Sequence, residues 1–174
     1  VGEIMATVGN ASSVHRAGRK ARQRVDTARR QVADLVGAVA RNVIFTGGGT
    51  EADNLALRGF LPRRLIVSGI EHGAILSPAL LLDRDAIIVD VDAQGRIKLD
   101  ALKVALEATE GPALVSLMLA NNETGVIQPV AEAAAIAHEY GALVHCDAIQ
   151  GAGKIPVDIE ALGVDLMSIS AHKF

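Results

Sequence analysis

The chain has 174 residues, 50% of them hydrophobic, and a formal net charge of −3. This length suits one domain with a sizeable core and is short for two. The mildly acidic balance argues against nucleic-acid or polybasic membrane partners, and no apolar run reaches the roughly 20 residues that span a bilayer. The single cysteine excludes an internal disulfide framework and is typical of a reducing, cytoplasmic compartment.

The first 60 residues contain two predicted helices with a short strand and a glycine-rich loop between them. Apolar residues recur every three or four positions from Val14 to Val36, which predicts an amphipathic helix with an arginine-rich solvent face. The β-branched and aromatic residues of 42–45 predict a strand. A second helix is expected over 51–60, ended by a proline at position 62.

Beyond residue 63, strands and single helices alternate. Strands apolar on both faces, separated by single helices, predict a three-layer α/β/α sandwich with a mainly parallel sheet. In such sheets ligands bind beyond the carboxyl ends of the strands, so the polar residues found there are candidates for a site. The predicted strands cover 64–68, 86–91, 113–120, 142–146 and 165–170, and the predicted helices cover 74–82, 99–108 and 129–140.

The loop at 46–50 (Thr-Gly-Gly-Gly-Thr) lies between a predicted strand and a predicted helix. Consecutive glycines let backbone amides approach a phosphate at a helix N-terminus, and Thr50 adds a hydroxyl. The same loop could be only a flexible turn in which Thr50 caps the helix. It has neither the Gly-Lys-Ser/Thr of a Walker loop nor the Gly-x-Gly-x-x-Gly spacing of a dinucleotide site.

The other strand ends carry His72, Asn121 with Asn122, Asp147 and Lys173. The histidine could be a surface group or could stack on a flat ring, and the asparagines could build a turn or orient a carboxylate. An acid at the end of a buried strand needs a partner, which could be a helix N-cap, a salt bridge or a protonated heteroaromatic nitrogen. The lysine could face solvent or act as an amine nucleophile.

Together these residues supply what pyridoxal 5′-phosphate (PLP) requires of a protein. The requirements are an amine for a Schiff base, an anion against the ring nitrogen, a stacking partner, a donor to the phenolic oxygen and a phosphate cradle. The sequence offers, in that order, Lys173, Asp147, His72, Gln150, and Gly49 with Thr50. No metal site is expected, because the five histidines lie in separate segments without paired ligand spacing.

The sequence also resembles the cysteine desulfurases, which are fold-type-I PLP enzymes of the class-V aminotransferase family. The resemblance runs in order along the whole chain, and residue 171 is alanine where glycine is usual. The first and fourth of the matching segments resemble the group that serves iron–sulfur cluster assembly. The segments are residues 9–15, 46–54, 71–72, 121–125, 147–150 and 170–173.

The resemblance implies conversion of L-cysteine to L-alanine, with the sulfur left as an enzyme persulfide. Lys173 would be the Schiff-base lysine and move the α-proton, Asp147 would pair with the ring nitrogen, and His72 would stack on the ring. Gln150 would bond the phenolic oxygen and Asn122 would help to bind substrate. The phosphate would be held by Thr50, Ser170 and His172. A homodimer and a sulfur-acceptor protein, such as an iron–sulfur scaffold, are the implied partners.

In the family, the persulfide cysteine and the substrate-binding arginine lie downstream of the lysine. Cys146 falls inside a predicted buried strand and is expected to be a packed hydrophobe. We therefore expect residues 1–174 to be one partial PLP-binding large domain, truncated at both ends, without the small C-terminal domain and inactive alone. Two alternatives stay open: another class-V enzyme, similar to selenocysteine lyase or kynureninase, and a non-catalytic fragment.

Overall fold

A computed structural model describes residues 2–5, 8–59 and 64–173. The chain divides into two compact units, Val1–Ile44 and Phe45–Phe174. Within the described residues, no helix combines the length and the apolar character needed to cross a membrane.

The first unit is helical. Helix α1 covers Gly2–Met5 and helix α2 covers Arg16–Leu35, in agreement with the predicted amphipathic helix. His15 caps α2, because its Nδ1 atom accepts a hydrogen bond from the Gly18 amide at 3.2 Å.

The strand predicted over residues 42–45 is wrong. A short 3₁₀ helix covers Ala40–Asn42, and the residues after it belong to no strand of the described sheet. Val43 has an extended backbone, with φ −78° and ψ 124°, but Ile44 and Phe45 are exposed. β-Branched residues make an extended conformation favourable, whereas a strand also needs a hydrogen-bonded neighbour and a face to bury.

The second unit contains a five-stranded sheet in the order β2-β1-β3-β4-β5, and every pairing in it is parallel. All five carboxyl ends therefore lie along one edge. The strands confirm the predicted ones within a few residues at each end. They are β1 (Arg64–Ser68), β2 (Ile87–Val89), β3 (Ala113–Met118), β4 (Leu143–Asp147) and β5 (Leu166–Ser168).

Helices cover both faces of this sheet, which confirms the three-layer α/β/α class. Helices α3 and α4 pack together, and α4 contacts β1. Helices α5 and α6 pack together against β2, β3 and β4. This division follows from right-handed crossovers, because the chain moves in opposite directions along the sheet after β1 and after β2. The helices are α3 (Gly49–Gly59), α4 (Gly73–Leu82), α5 (Leu99–Glu107) and α6 (Val130–Glu139).

The central strand β3 is buried along its whole length, as expected for a strand apolar on both faces. Leu114 of this strand belongs to a core cluster that also contains Leu57, Leu65, Val67, Ile75 and Ala79.

Candidate functional site

The glycine loop leads into α3 and forms one wall of an open cavity of about 630 Å³. An added Cβ at Gly49 would collide with the Cδ1 atom of Ile149 and lie 3.5 Å from the Cβ of Ser170. Ile149 follows Asp147 by two residues, and Ser170 precedes Lys173 by three. The loop therefore adjoins the two segments that carry these predicted residues. The cavity is lined by Gly47, Gly48, Gly49, Thr50, Glu51, Asn54 and His172.

The loop is held by two local hydrogen bonds. Glu51 Oε2 accepts one from the Gly47 amide at 2.5 Å, and Thr46 Oγ1 donates one to the Gly48 carbonyl at 3.0 Å. Amides in the first turn of a helix have no acceptor within the helix, so the start of α3 presents donors to an anion. His172, which also lines the cavity, shares a hydrogen bond of 2.8 Å between its Nδ1 atom and Ser170 Oγ.

Asp147 ends β4 and is only 4% exposed. Its Oδ1 atom accepts a hydrogen bond from the Ile149 amide at 2.9 Å. Burial raises the pKa of Asp147, while the Ile149 amide and the charge of His72 act in the opposite direction. The contacts of Asp147 therefore do not fully stabilise its negative charge, and a cationic ligand group would stabilise it further.

His72 begins α4 as its N-cap residue and is exposed. Its Nδ1 atom accepts a hydrogen bond from the Ala74 amide at 3.1 Å. Since an accepting ring nitrogen carries no proton, a neutral His72 has its proton on Nε2. The local role and the predicted ring contact are compatible, because they use different parts of the imidazole.

The two asparagines after β3 differ in their contacts. Asn121 Nδ2 donates to the Ile70 carbonyl at 3.1 Å, and its Oδ1 accepts from the amides of Glu123 and Thr124. It thereby joins the turn before His72 to its own loop. Asn122 is exposed and remains the predicted substrate contact.

Gln150 and Lys173 lie at the ends of the two segments next to the glycine loop. Gln150 is half-buried, and its Oε1 accepts a hydrogen bond from Lys154 Nζ at 2.9 Å, which leaves its NH₂ group as a donor. Lys173 closes a 3₁₀ turn over Ala171–Lys173, in which its amide donates to the Ser170 carbonyl at 3.1 Å. Its side chain is exposed.

The sequence predictions assigned no role to a set of buried polar residues beneath these loops. His145 shares hydrogen bonds of 2.9 Å with the hydroxyls of Ser116 and Ser168. Asp53 is 1% exposed, and neither of its carboxyl oxygens has a hydrogen-bond partner among the described residues. Helical periodicity could have indicated that Asp53 is buried, because Asp53 lies on the same buried face of α3 as Gly49, Ala56 and Leu57.

Cys146 lies in β4 with 0% exposure. Burial raises the pKa of its thiol well above the ordinary value, and the charge of Asp147, with that of Glu71 whenever it is ionised, adds to this. It is a packed core residue, as the sequence predicted. Among the described residues, no three His, Cys, Asp or Glu side chains come together to hold a metal ion.

The fold and this arrangement place the chain in a known class. The sequence profile of the aminotransferase class-V family matches residues 3–174, and the chain belongs to that family. It is 42% identical to the IscS-like cysteine desulfurase of Mycobacterium tuberculosis (strain ATCC 25618 / H37Rv), over 98% of this chain and 47% of the relative. It is 45% identical to the cysteine desulfurase IscS of Anaeromyxobacter sp. (strain K), over 95% of this chain and 43% of the relative.

Solved structures show the same fold. A NifS-like protein from Rickettsia africae ESF-5 superimposes with a TM-score of 0.92 at 36% identity, over 98% of this chain and 49% of that one. A structure described as SspA in complex with cysteine gives a TM-score of 0.86 at 29% identity, over 96% and 50%. The chain thus spans about half the length of the relatives that it resembles.

Proposed function

We propose that this protein is a PLP-dependent cysteine desulfurase, which converts L-cysteine to L-alanine and passes the sulfur to an enzyme persulfide. The observation that carries the proposal is the packing of Gly49 against Ile149 and Ser170. Through it, a phosphate-type loop, a buried carboxyl and a lysine-bearing turn adjoin at the carboxyl edge of one sheet. Similarity to proteins named cysteine desulfurases supports the choice of reaction.

The residues fit the cofactor on physical grounds. The Asp147 carboxylate lacks a compensating cation among its described contacts apart from the charge of His72, and a protonated ring nitrogen would supply one. Lys173 would attach the cofactor covalently, and the amide group of Gln150 would donate to its phenolic oxygen. The phosphate would be held by Gly49, Thr50, Ser170 and His172.

When bound, PLP would supply an electron sink that makes loss of the substrate α-proton feasible. Lys173 Nζ would take and return that proton. His72 would stack on the ring, and its Nε2 atom would exchange protons, since Nδ1 is engaged with the Ala74 amide. Asn122 would orient the substrate carboxylate.

Cys146 does not fit the role of sulfur acceptor, because its thiol is buried and its pKa is raised. The resemblance places the acceptor cysteine downstream of Lys173, together with an arginine for the substrate carboxylate. A cytoplasmic homodimer that delivers sulfur to an iron–sulfur scaffold, with residues 1–174 as part of its large domain, completes the proposal.

The test uses the protein in its full natural length. Purified protein reconstituted with PLP should show the visible absorption of a lysine-bound cofactor, and borohydride reduction followed by peptide mapping should place the label on Lys173. The Lys173→Ala variant should lose both signals. Alanine and sulfide released from L-cysteine would support desulfuration, whereas turnover of selenocysteine or kynurenine instead would favour the alternative family reactions. A protein that binds no PLP would refute the proposal.

A further inference from the structure

Glu71 is a buried acid with no role in the proposed reaction. It lies in the turn after β1, immediately before His72, and is 5% exposed. Its Oε1 atom accepts a hydrogen bond from the Met118 amide at 2.5 Å. Its Oε2 atom is buried and has no hydrogen-bond partner among the described residues.

This contact ties the His72 turn to the end of the central strand. Met118 is the register partner of Asp147 across β3 and β4, so the Glu71 carboxyl is anchored directly beside the strand end that bears Asp147. The Asn121 side chain joins the same turn at the Ile70 carbonyl. Glu71 is therefore a buried link between the turn of the predicted ring-stacking residue and the strand pair that carries the predicted ring anion.

Among the described residues, the neighbouring charges that raise the pKa of Glu71 belong to two other acids. Burial raises its pKa well above the ordinary value, the Met118 amide lowers it, and the charges of Asp147 on β4 and Asp53 on α3 raise it further. An ionised Glu71 would also raise the pKa of the nearby Cys146 thiol. Carboxyl groups that share one buried region raise each other's pKa, because each negative charge disfavours the next.

We propose that Glu71 is a positioning residue that remains protonated, so that it fastens the His72 turn while the negative charge facing the cofactor stays on Asp147. A neutral carboxyl keeps Oε1 as an acceptor for Met118 and adds no second charge beside Asp147. An ionised Glu71 would place a second negative charge near Asp147. This inference rests on the proposed PLP site.

The first measurement needs no cofactor. Infrared spectra of the full-length protein in heavy water, recorded above the Asp53 pKa of about 7, should show a protonated-carboxyl band that disappears in Glu71→Gln. The matched control Glu123→Gln changes an exposed acid two residues after Asn121 and should leave the band intact. A wild-type spectrum without a Glu71-dependent band overturns the inference.

The second measurement is PLP affinity, followed by visible absorption. Glu71→Gln keeps a neutral group and an acceptor for the Met118 amide, so its affinity should stay within about threefold of wild type. Glu71→Ala leaves that buried amide without a partner, and Glu71→Asp is one methylene too short to reach it. Both should bind about tenfold or more weakly.

These outcomes separate the inference from the proposed function. Equal affinity of the Gln, Asp and Ala variants, whether high or low, overturns the positioning role. If Glu71→Ala fails to fold, the comparison of Glu71→Gln with Glu71→Asp decides. A wild-type protein that binds no PLP refutes the proposed function, while the infrared band still reports the protonation of Glu71.

Discussion

The Nε2 atom of His145 lies 3.9 Å from the Oδ1 atom of Asp53 inside the second unit. Burial lowers the pKa of His145 to about 4. Burial, reinforced by the charge of Asp147, raises the pKa of Asp53 to about 7, against a smaller opposing effect of the Ser168 hydroxyl. Between these values both groups are uncharged, and the pair is not a salt bridge.

Asp53→Asn should stabilise the protein at neutral and alkaline pH. Because the folded pKa of Asp53 lies above its ordinary 3.8, its contribution to stability is complete below about 3.8 and is lost as the pH rises through about 7. One pKa unit corresponds to about 1.4 kcal/mol, so the gain above pH 7 should be a few kcal/mol.

Chemical denaturation over a pH series measures this gain. The Asp26→Asn variant changes an exposed acid of α2 and should follow the wild-type curve. A gain from Asp53→Asn that is equal at acidic and alkaline pH would contradict the assignment.

His145 should produce the opposite pH dependence. Its folded pKa of about 4 lies below the ordinary 6.5, so its contribution is complete above about 6.5 and is lost as the pH falls through about 4. In the Asp53→Asn variant this loss of stability at acidic pH should be measurable by itself, because the titration of Asp53, which acts in the opposite direction, is gone. Adding His145→Gln should flatten the free energy of unfolding in that range. If the double variant still loses stability at acidic pH, another group is responsible for the loss.

Gly49→Ala should destabilise the second unit by about 1 kcal/mol, because the added methyl group would displace the Ile149 Cδ1 atom, the flexible end of that side chain. Ile149→Val removes that atom and should recover most of the loss in the double variant. Gly48→Ala is the matched control, since a Cβ there meets nothing within 4 Å. Thermal unfolding measures all of these variants, and failure of Ile149→Val to rescue would show that the clash is not the cause.

The sequence predicted the parallel sheet because its strands are apolar on both faces, a property local to each strand. The strand predicted at residues 42–45 was wrong, because β-propensity alone does not form a strand. In the described sheet these residues have no neighbouring strand to pair with. The sequence also could not assign a role to Asp53 or Glu71, because their importance comes from partners on other elements. Buried acids acquire their properties from three-dimensional surroundings that no single segment encodes.

Asn121 and Asn122 should differ in the property that their loss affects. Asn121→Ala removes the hydrogen bonds to Ile70, Glu123 and Thr124, so it should lower the free energy of unfolding by about 1–3 kcal/mol. Asn122→Ala alters an exposed residue and should leave stability within about 0.5 kcal/mol. Under the proposed function it should instead raise the KM for L-cysteine. The reverse pattern, with Asn122 the destabilising site, would contradict the division of roles.

PLP affinity should depend on pH through Asp147. Burial raises the pKa of this carboxyl in the cofactor-free protein, so protons compete with the cationic ring nitrogen for it. Affinity should therefore fall as the pH is lowered through that raised pKa, and Asp147→Asn should remove this part of the dependence. In Asp147→Ala the rate of turnover should fall by about a hundredfold or more, because the ring nitrogen loses the anion that keeps it protonated. The affinity for PLP should fall by less than this. Absorbance titrations at several pH values give the affinities, and single-turnover kinetics with L-cysteine give the rates. An unchanged pH profile in Asp147→Asn would mean that the carboxyl does not face the ring nitrogen.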